Sequence, residues 1–320
     1  MTPHDLATAP APAHRVDVDH LLAELPRIDA DPVALGEARA RLGERPVWHG
    51  GELTWVDVES GLVHRWPDAD PAQARQPWPA GSTVGIAWPA GSGGVLAAAT
   101  GGLRLIDPDP AHPGRSALFG ATPPPGRRWN DGATDPAGRL WLTSMPADDA
   151  TAPGAVHRIV PETAEVAITN VTCGNGIQFS PDGDWMYLTD SVRRVLYRLR
   201  YDVDTGIPGP PEPLLAFTAD GPIPDGTTVD ADGALWVAVW GAGAVLRLTP
   251  EGEPVDAMVL PVPLTTCLAI GPDGTGWVTT AGQPDARLGD PGIAEGAGAV
   301  WRVRLPAGVR PGRISPVRGA

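Results

Sequence analysis

The stretch from Asn175 to Ser191, NGIQFSPDGDWMYLTDS, carries the pattern that decides the fold. A strand-forming segment leads into a Ser-Pro-Asp-Gly turn, and an aromatic-rich strand follows the turn. Related segments place turn glycines at Gly138, Gly183, Gly233 and Gly274, which lie 45, 50 and 41 residues apart (183 − 138, 233 − 183 and 274 − 233). A repeat of roughly 40 to 50 residues is typical of the blades of a β-propeller.

Earlier copies of the repeat read GELTWVD followed by LVHRW, and GVLAAAT followed by LRLID. Together they predict an all-β, six-bladed β-propeller with units near 44–70, 85–110, 130–165, 175–215, 225–255 and 267–305. Because a propeller must join its first and last blades, we expect the segment 32–42 to supply a strand to the last blade. An immunoglobulin-type sandwich is the competing all-β fold, but it requires no repeat of this length.

The predicted domain organisation has three parts. Residues 1–28 are rich in Ala, Pro and His and are expected to form a flexible leader, residues 29–306 form the propeller, and residues 307–320 form a C-terminal tail. The leader lacks an apolar signal-peptide core, and no run approaches the roughly 18 to 20 apolar residues of a membrane span, so a cytoplasmic protein without a membrane partner is expected. Loops 110–128 and 281–298 are expected to lie over the channel and to govern selectivity.

Composition excludes several classes of function. The formal charge of −14 opposes binding to nucleic acids, and the absence of lysine excludes Schiff-base chemistry. Two cysteines are too few for a disulfide framework, and Cys173 and Cys267 are interpreted as partly buried small hydrophobic residues. The sequence contains neither the G-x-S-x-G motif of serine hydrolases nor the H-E-x-x-H motif of zinc proteases. It does not indicate an oligomeric state.

Four polar residues occupy nearly equivalent positions in the repeats. Asn130, Asn175 and Asp225 each stand eight residues before their turn glycine (138 − 130, 183 − 175 and 233 − 225), and Glu44 stands seven before Gly51. Equivalent positions of repeats arranged around an axis converge on that axis, so these side chains should meet at one point. Each could instead cap a turn, as Asn and Asp often do. Four oxygen-bearing side chains in register favour a site for a hard divalent cation.

The ordered motifs of the chain resemble those of one protein family. They are Gly43–Trp48 (GERPVW), 128–132 (RWNDG), 175–176 (NG), 180–183 (SPDG), 188–191 (LTDS) and 224–226 (PDG). Over about residues 33–306, the chain resembles the regucalcin/gluconolactonase family of six-bladed propellers. This family includes senescence-marker protein and the luciferin-regenerating enzyme.

The resemblance implies a metal-dependent hydrolase that opens a sugar lactone or related cyclic ester in the central channel without an organic cofactor. It implies one divalent ion, with Ca²⁺ favoured and Mn²⁺, Zn²⁺, Mg²⁺ and Fe²⁺ open. The metal set that it implies is Glu44, Asn130, Asn175 and Asp225. The substrate set is Arg128, Asn130 and Asp148, so Asn130 has two candidate roles, and Asp225 is the candidate catalytic residue that orients or deprotonates water.

Two alternatives to lactone hydrolysis remain open from the sequence. The chain could be a family member repurposed for another reaction in a biosynthetic pathway, or a non-catalytic propeller that binds a small molecule or Ca²⁺. Arg45 bears on the first, because it replaces the small residue usually found after the glutamate. We expect its side chain near the channel mouth, where it would narrow the pocket or contact an anion.

Overall fold

A computed structural model of the chain describes residues 1–107, 116–148, 152–160, 163–283 and 294–320. It contains six antiparallel sheets of four strands, one of them extended by a short fifth strand. The first strand of each sheet contacts the first strands of two neighbouring sheets, and these contacts close a ring. The predicted six-bladed β-propeller is therefore confirmed, and we number the blades 1 to 6 in chain order. Parts of the two predicted selectivity loops, residues 110–115 and 284–293, lie outside the described residues.

The strands are given from the axis outward. Blade 1 contains Gly43–His49, Glu52–Asp57, Leu62–Pro67 and Trp78–Pro79. Blade 2 contains Val84–Pro89, Val95–Ala99, Gly102–Ile106 and Ser116–Gly120. Blade 3 contains Arg127–Thr134, Leu140–Pro146, Gly154–Val160 and Thr163–Val171.

The remaining blades follow the same plan. Blade 4 contains Gly174–Phe179, Trp185–Asp190, Val195–Asp202 and Ile207–Ala216. Blade 5 contains Ile223–Val229, Leu235–Trp240, Ala244–Leu248 and Pro254–Val259. Blade 6 contains Thr265–Ile270, Thr275–Thr280, Val300–Arg304 and Val33–Leu35. The other elements are strand His4–Asp5, helix Val18–Glu24 and the 3₁₀ turns Leu6–Thr8, Pro71–Gln73 and Pro272–Gly274.

The repeated turn and its aromatic strand form for identifiable reasons. Gly138, Gly183 and Gly233 have φ values of 80°, 82° and 89°, a left-handed conformation that residues with a side chain rarely adopt. The aromatic residues that follow, such as Trp141 and Trp236, are fully buried in the apolar core.

Ring closure uses the segment that the sequence indicated. The strand Val33–Leu35 runs antiparallel to Val300–Arg304, with Val33 opposite Arg302 and Leu35 opposite Val300. It thereby becomes the outermost strand of blade 6, while the following segment leads into the innermost strand of blade 1. One continuous segment of chain thus joins the last blade to the first and closes the ring.

The N-terminal segment differs from the flexible leader that composition indicated. Its strand His4–Asp5 pairs in parallel with the outer strand of blade 3. Leu6 is 1% exposed, and Val18 and Leu22 of the short helix are buried in the core. These few apolar side chains hold the segment against the outside of the ring, although the composition around them is typical of disorder. No helix among the described residues is long and apolar enough to cross a membrane.

The C-terminal tail lies across the end of the ring at which the inner strands finish. Pro311 bridges to Asp230 of blade 5, and Val317 bridges to Ala90, which follows the inner strand of blade 2. The carbonyl of Ser315 accepts a hydrogen bond of 3.1 Å from the indole nitrogen of Trp88. The cavities beneath the tail have volumes of only about 20 and 40 Å³, too small for an organic substrate.

Two buried histidines make stability depend on pH. Burial lowers the pKa values of His64 and His157 to about 4, against 6.5 for a free side chain. His64 stacks on Trp55 at 3.8 Å, and His157 Nε2 lies 2.9 Å from the Ser144 hydroxyl. Because the unfolded chain takes up these protons first, the free energy of unfolding should fall as pH drops from 6.5 to 4, by about 3 kcal/mol per histidine.

Urea unfolding of wild type and His157→Gln at pH 7, 5.5 and 4 tests this prediction. The variant should lose less stability over this range than wild type, whereas His20→Gln, which alters an exposed side chain, should lose as much as wild type. Identical losses in the His157 variant and wild type would contradict the prediction.

Candidate active site

One cavity of about 450 Å³ opens at the end of the ring where the inner strands begin. Its volume is within the range of small-molecule sites. The structure brings every predicted site residue to the lining of this cavity: Glu44, Arg128, Asn130, Asp148, Asn175 and Asp225. Glu44 and Asn175 are the second residues of the inner strands of blades 1 and 4, Asp225 is the third of blade 5, and Asn130 is the fourth of blade 3.

A shift in strand register aims these side chains at the axis. The pairing between the first two strands is interrupted after Glu44, after Trp129, after Asn175 and after Pro224. Such a β-bulge bends the strand and redirects a side chain, and it is common next to active sites. In blade 4 the residue that follows the site position is Gly176, with a φ of 60°. A side-chain carbon at Gly176 would lie 2.6 Å from the Thr227 hydroxyl, so only glycine fits.

A chain of hydrogen bonds connects the polar residues of blades 3 and 4. Arg128 Nη1 donates to Asn130 Oδ1 at 2.7 Å, and Asn130 Nδ2 donates to Asn175 Oδ1 at 2.8 Å. Asn175 Nδ2 in turn donates to the Ser191 hydroxyl at 2.9 Å. The Asn130 amide oxygen is thus engaged by the charged guanidinium of Arg128, while the Asn175 amide oxygen accepts from the uncharged amide of Asn130.

Glu44 lies in an environment that penalises its negative charge. Burial, and then the nearby charge of Asp131, raises its pKa to about 8, while Arg45 and Arg128 act in the opposite direction. The Glu44 carboxylate accepts a hydrogen bond of 2.7 Å from the backbone N–H of Arg45, which fixes its orientation. The charge of this carboxylate would be stabilised by a cation bound beside it.

Asp225 and Asp148 occupy contrasting parts of the cavity. Asp225 is only 6% exposed and lies near the axis on blade 5, whereas Asp148 is exposed at the mouth, beyond the second strand of blade 3. Asp148 is followed by residues 149–151, which are not described. Among the residues that are described, no three His, Cys, Asp or Glu side chains are grouped so that they could hold a metal ion. The candidate set contains two carboxylates and two amides.

The expected position of Arg45 near the channel mouth is wrong. Its guanidinium points away from the cavity, is 2% exposed and lies deeper in the channel. Arg45 Nη2 donates to the Ile177 carbonyl at 2.9 Å, and its Cζ lies 5.3 Å from the centre of a Trp88 ring. It therefore neither narrows the pocket nor offers a contact to an anion there. The backbone at Arg45 is left-handed, with a φ of 43°, and directs the side chain away from the cavity and along the channel.

Comparisons with known proteins bear on the family and the fold. A family model described as the SMP-30/gluconolactonase/LRE-like region matches residues 42–282. The chain belongs to this family. The predicted resemblance is therefore confirmed.

Two relatives in the SMP-30/gluconolactonase/LRE-like family have names that state an activity. Pentonolactonase XacC of Haloferax volcanii is 35% identical over 294 residues, covering 88% of this chain and 97% of that protein. The 6-deoxy-6-sulfogluconolactonase of Pseudomonas putida is 35% identical over 237 residues, covering 72% of this chain and 79% of that protein. A solved structure of a calcium-binding protein, regucalcin, from Agrobacterium tumefaciens has a TM-score of 0.80 at 26% identity. That match covers 92% of this chain and 99% of regucalcin.

The cavity of this SMP-30/gluconolactonase family member is also lined by residues to which the sequence analysis assigned no functional role. Cys173, interpreted only as a partly buried small hydrophobic residue, is partly buried and also lines the cavity. Its sulfur lies 4.0 Å from Asn130 Nδ2 and 3.9 Å from Asn175 Nδ2. The sequence signal that could have placed Cys173 in the cavity is its position two residues before the predicted ligand Asn175. Leu42, Ile223 and Trp240 form an apolar wall on the side of blades 1 and 5.

Proposed function

We propose that the protein hydrolyses a sugar lactone in the cavity at the start of the inner strands, with one divalent metal ion. The convergence of all six predicted site residues on one cavity carries this proposal. Relatives named as lactonases, which match the chain over most of its length, support the reaction class. The cavity volume of about 450 Å³ accommodates one monosaccharide-sized lactone.

Glu44, Asn175 and Asp225 would hold the metal ion. Their donors are carboxylate and amide oxygens, which suit a hard cation, and the buried environment of Glu44 gains from a neighbouring positive charge. Likeness to a calcium-binding regucalcin favours Ca²⁺, while Mn²⁺, Zn²⁺, Mg²⁺ and Fe²⁺ remain candidates. When bound, the ion would act as a Lewis acid toward the lactone carbonyl.

Asp225 would act on the water molecule. As a general base it accepts a proton while the water oxygen attacks the carbonyl carbon of the lactone. The ester bond between that carbon and the ring oxygen then breaks, and Asp225 returns the proton to the ring oxygen. The product is a linear hydroxy acid, and the reaction consumes one water molecule and no organic cofactor.

Arg128, Asn130 and Asp148 would position the substrate. Asn130 is assigned here rather than to the metal, because the cationic Arg128 engages its amide oxygen and would repel a metal ion, whereas the partner of the Asn175 amide oxygen is the uncharged Asn130 amide. The exposed carboxylate of Asp148 would accept hydrogen bonds from sugar hydroxyls at the mouth. The apolar wall of Ile223 and Trp240 would contact the C–H face of the sugar ring.

A cytoplasmic location of the protein remains a prediction.

A panel of lactones tests the proposed function. Chelator-treated protein is supplied with Ca²⁺, Mn²⁺, Zn²⁺, Mg²⁺ or Fe²⁺ separately, and proton release from pentono- and hexonolactones is followed. We expect turnover of at least one sugar lactone only after a metal is restored. Metal binding without turnover of any lactone would favour a repurposed family member. The absence of both metal binding and lactone turnover would favour a non-catalytic propeller.

A further inference from the structure

The channel directly beneath the cavity holds a buried ion pair between Arg45 and Asp131. We propose that Arg45 sets the net charge of the candidate metal site by neutralising the Asp131 carboxylate. The two remaining carboxylates, Glu44 and Asp225, then match the charge of one divalent cation. This inference rests on the proposed metal-dependent function. Since Arg45 does not line the cavity, it is a positioning residue rather than a catalytic one.

Contacts from four blades fix the guanidinium of Arg45. Blades 4 and 5 supply the carbonyls of Ile177 and Thr227, at 2.9 and 3.4 Å from its Nη atoms. Blade 2 supplies the Trp88 ring at 5.3 Å, and blade 3 supplies Asp131, whose Oδ1 lies 3.4 Å from Arg45 Nε. A side chain held on all these sides keeps its charge at one place in the channel.

Asp131 depends on that charge. It is only 5% exposed, and its Oδ2 accepts a hydrogen bond of 3.3 Å from the backbone N–H of Ile177. No described residue donates a hydrogen bond to its Oδ1, so the cation of Arg45 is the partner that this oxygen faces. A buried carboxylate without such a partner would be strongly unfavourable.

The two charges of the pair act on the metal site in opposite directions, because they have opposite signs and both directly follow site residues in the chain, Arg45 after Glu44 and Asp131 after Asn130. Removing the cation would leave the Asp131 carboxylate without its partner, and a divalent ion bound nearby would then supply the missing positive charge, so binding of that ion should strengthen. Removing the Asp131 charge would leave the cation of Arg45 unbalanced and should weaken binding of the divalent ion. A purely structural pair would behave differently, because loss of either partner would disturb the site in the same sense.

The test uses Arg45→Met, Asp131→Asn and the double variant. Isothermal titration of chelator-treated protein with Mn²⁺, and separately with Ca²⁺, gives the dissociation constants at pH 8.5. We expect Arg45→Met to bind at least about tenfold more tightly than wild type and Asp131→Asn at least about tenfold more weakly. The double variant should lie within about threefold of wild type, since the removed charges cancel.

Arg139→Met is the matched control, because Arg139 pairs with the buried Asp135 at 2.6 Å in a turn outside the cavity. Arg139→Met should lower the melting temperature, as Arg45→Met and Asp131→Asn should. Unlike them, it should leave the dissociation constant of the metal unchanged. Weaker binding in both Arg45→Met and Asp131→Asn, or no change in either, would overturn the inference while the metal site stands. Wild type that binds neither ion would overturn the metal site and the inference together.

Discussion

Asp225→Asn should lower kcat for lactone hydrolysis by about 10³-fold while the protein stays folded. Asparagine has nearly the same shape as aspartate and keeps an oxygen near the axis, so the apolar core is undisturbed. It cannot accept the proton of the attacking water, and it removes one of the two carboxylates assigned to the metal. The measurement is the initial rate of proton release from the best lactone of the panel, at saturating lactone and saturating metal.

The metal titration within this experiment separates the two proposed roles of Asp225. If the loss persists at saturating metal, Asp225 acts on the water molecule; if excess metal restores the rate, Asp225 acts as a ligand alone. Asp273→Asn is the matched control, since Asp273 is exposed in a turn of blade 6 and its φ of 57° is one that asparagine tolerates. Wild-type kcat in Asp225→Asn would remove this residue from the mechanism.

The sequence predicted the inner part of the molecule well, because geometry there is tightly constrained. A left-handed turn such as that at Gly183 requires glycine. The fixed number of residues from the turn back to Asn175 places Asn175 at the same height along the axis as the equivalent residues of the other blades. The offset of seven rather than eight for Glu44 reflects a shorter turn. Only two residues separate His49 from Glu52, whereas five separate Phe179 from Trp185.

The outer parts were less predictable, because weaker and more distant interactions determine them. The outermost strand of blade 4, Ile207–Ala216, contains four prolines and lacks the pattern of a strand, yet it pairs with the neighbouring strand. The N-terminal segment is held by a few apolar side chains, Leu6 among them, in a composition typical of disorder. The direction of Arg45 depends on the backbone angle at a β-bulge, and sequence spacing does not encode that angle.

Glu44→Gln should weaken metal binding by about 100-fold and alter its dependence on pH. A cation binds the ionised carboxylate, and in the metal-free protein burial and the charge of Asp131 raise the pKa of Glu44 to about 8. Below that pH the ion must displace a proton, so the wild-type dissociation constant should rise as pH falls from 8 to 6, by up to about tenfold per pH unit.

The glutamine variant has no proton to lose at this position, so its weaker binding should change less over the same range. Isothermal titrations with Mn²⁺ at pH 6, 7 and 8 measure both effects. Glu52→Gln serves as the matched control, because Glu52 lies on blade 1 in ion pairs with Arg65 and Arg75, outside the cavity. It should leave both the affinity and its pH dependence as in wild type. A Glu44 variant with the same slope as wild type would show that another group governs proton release, and unchanged affinity would place the metal elsewhere.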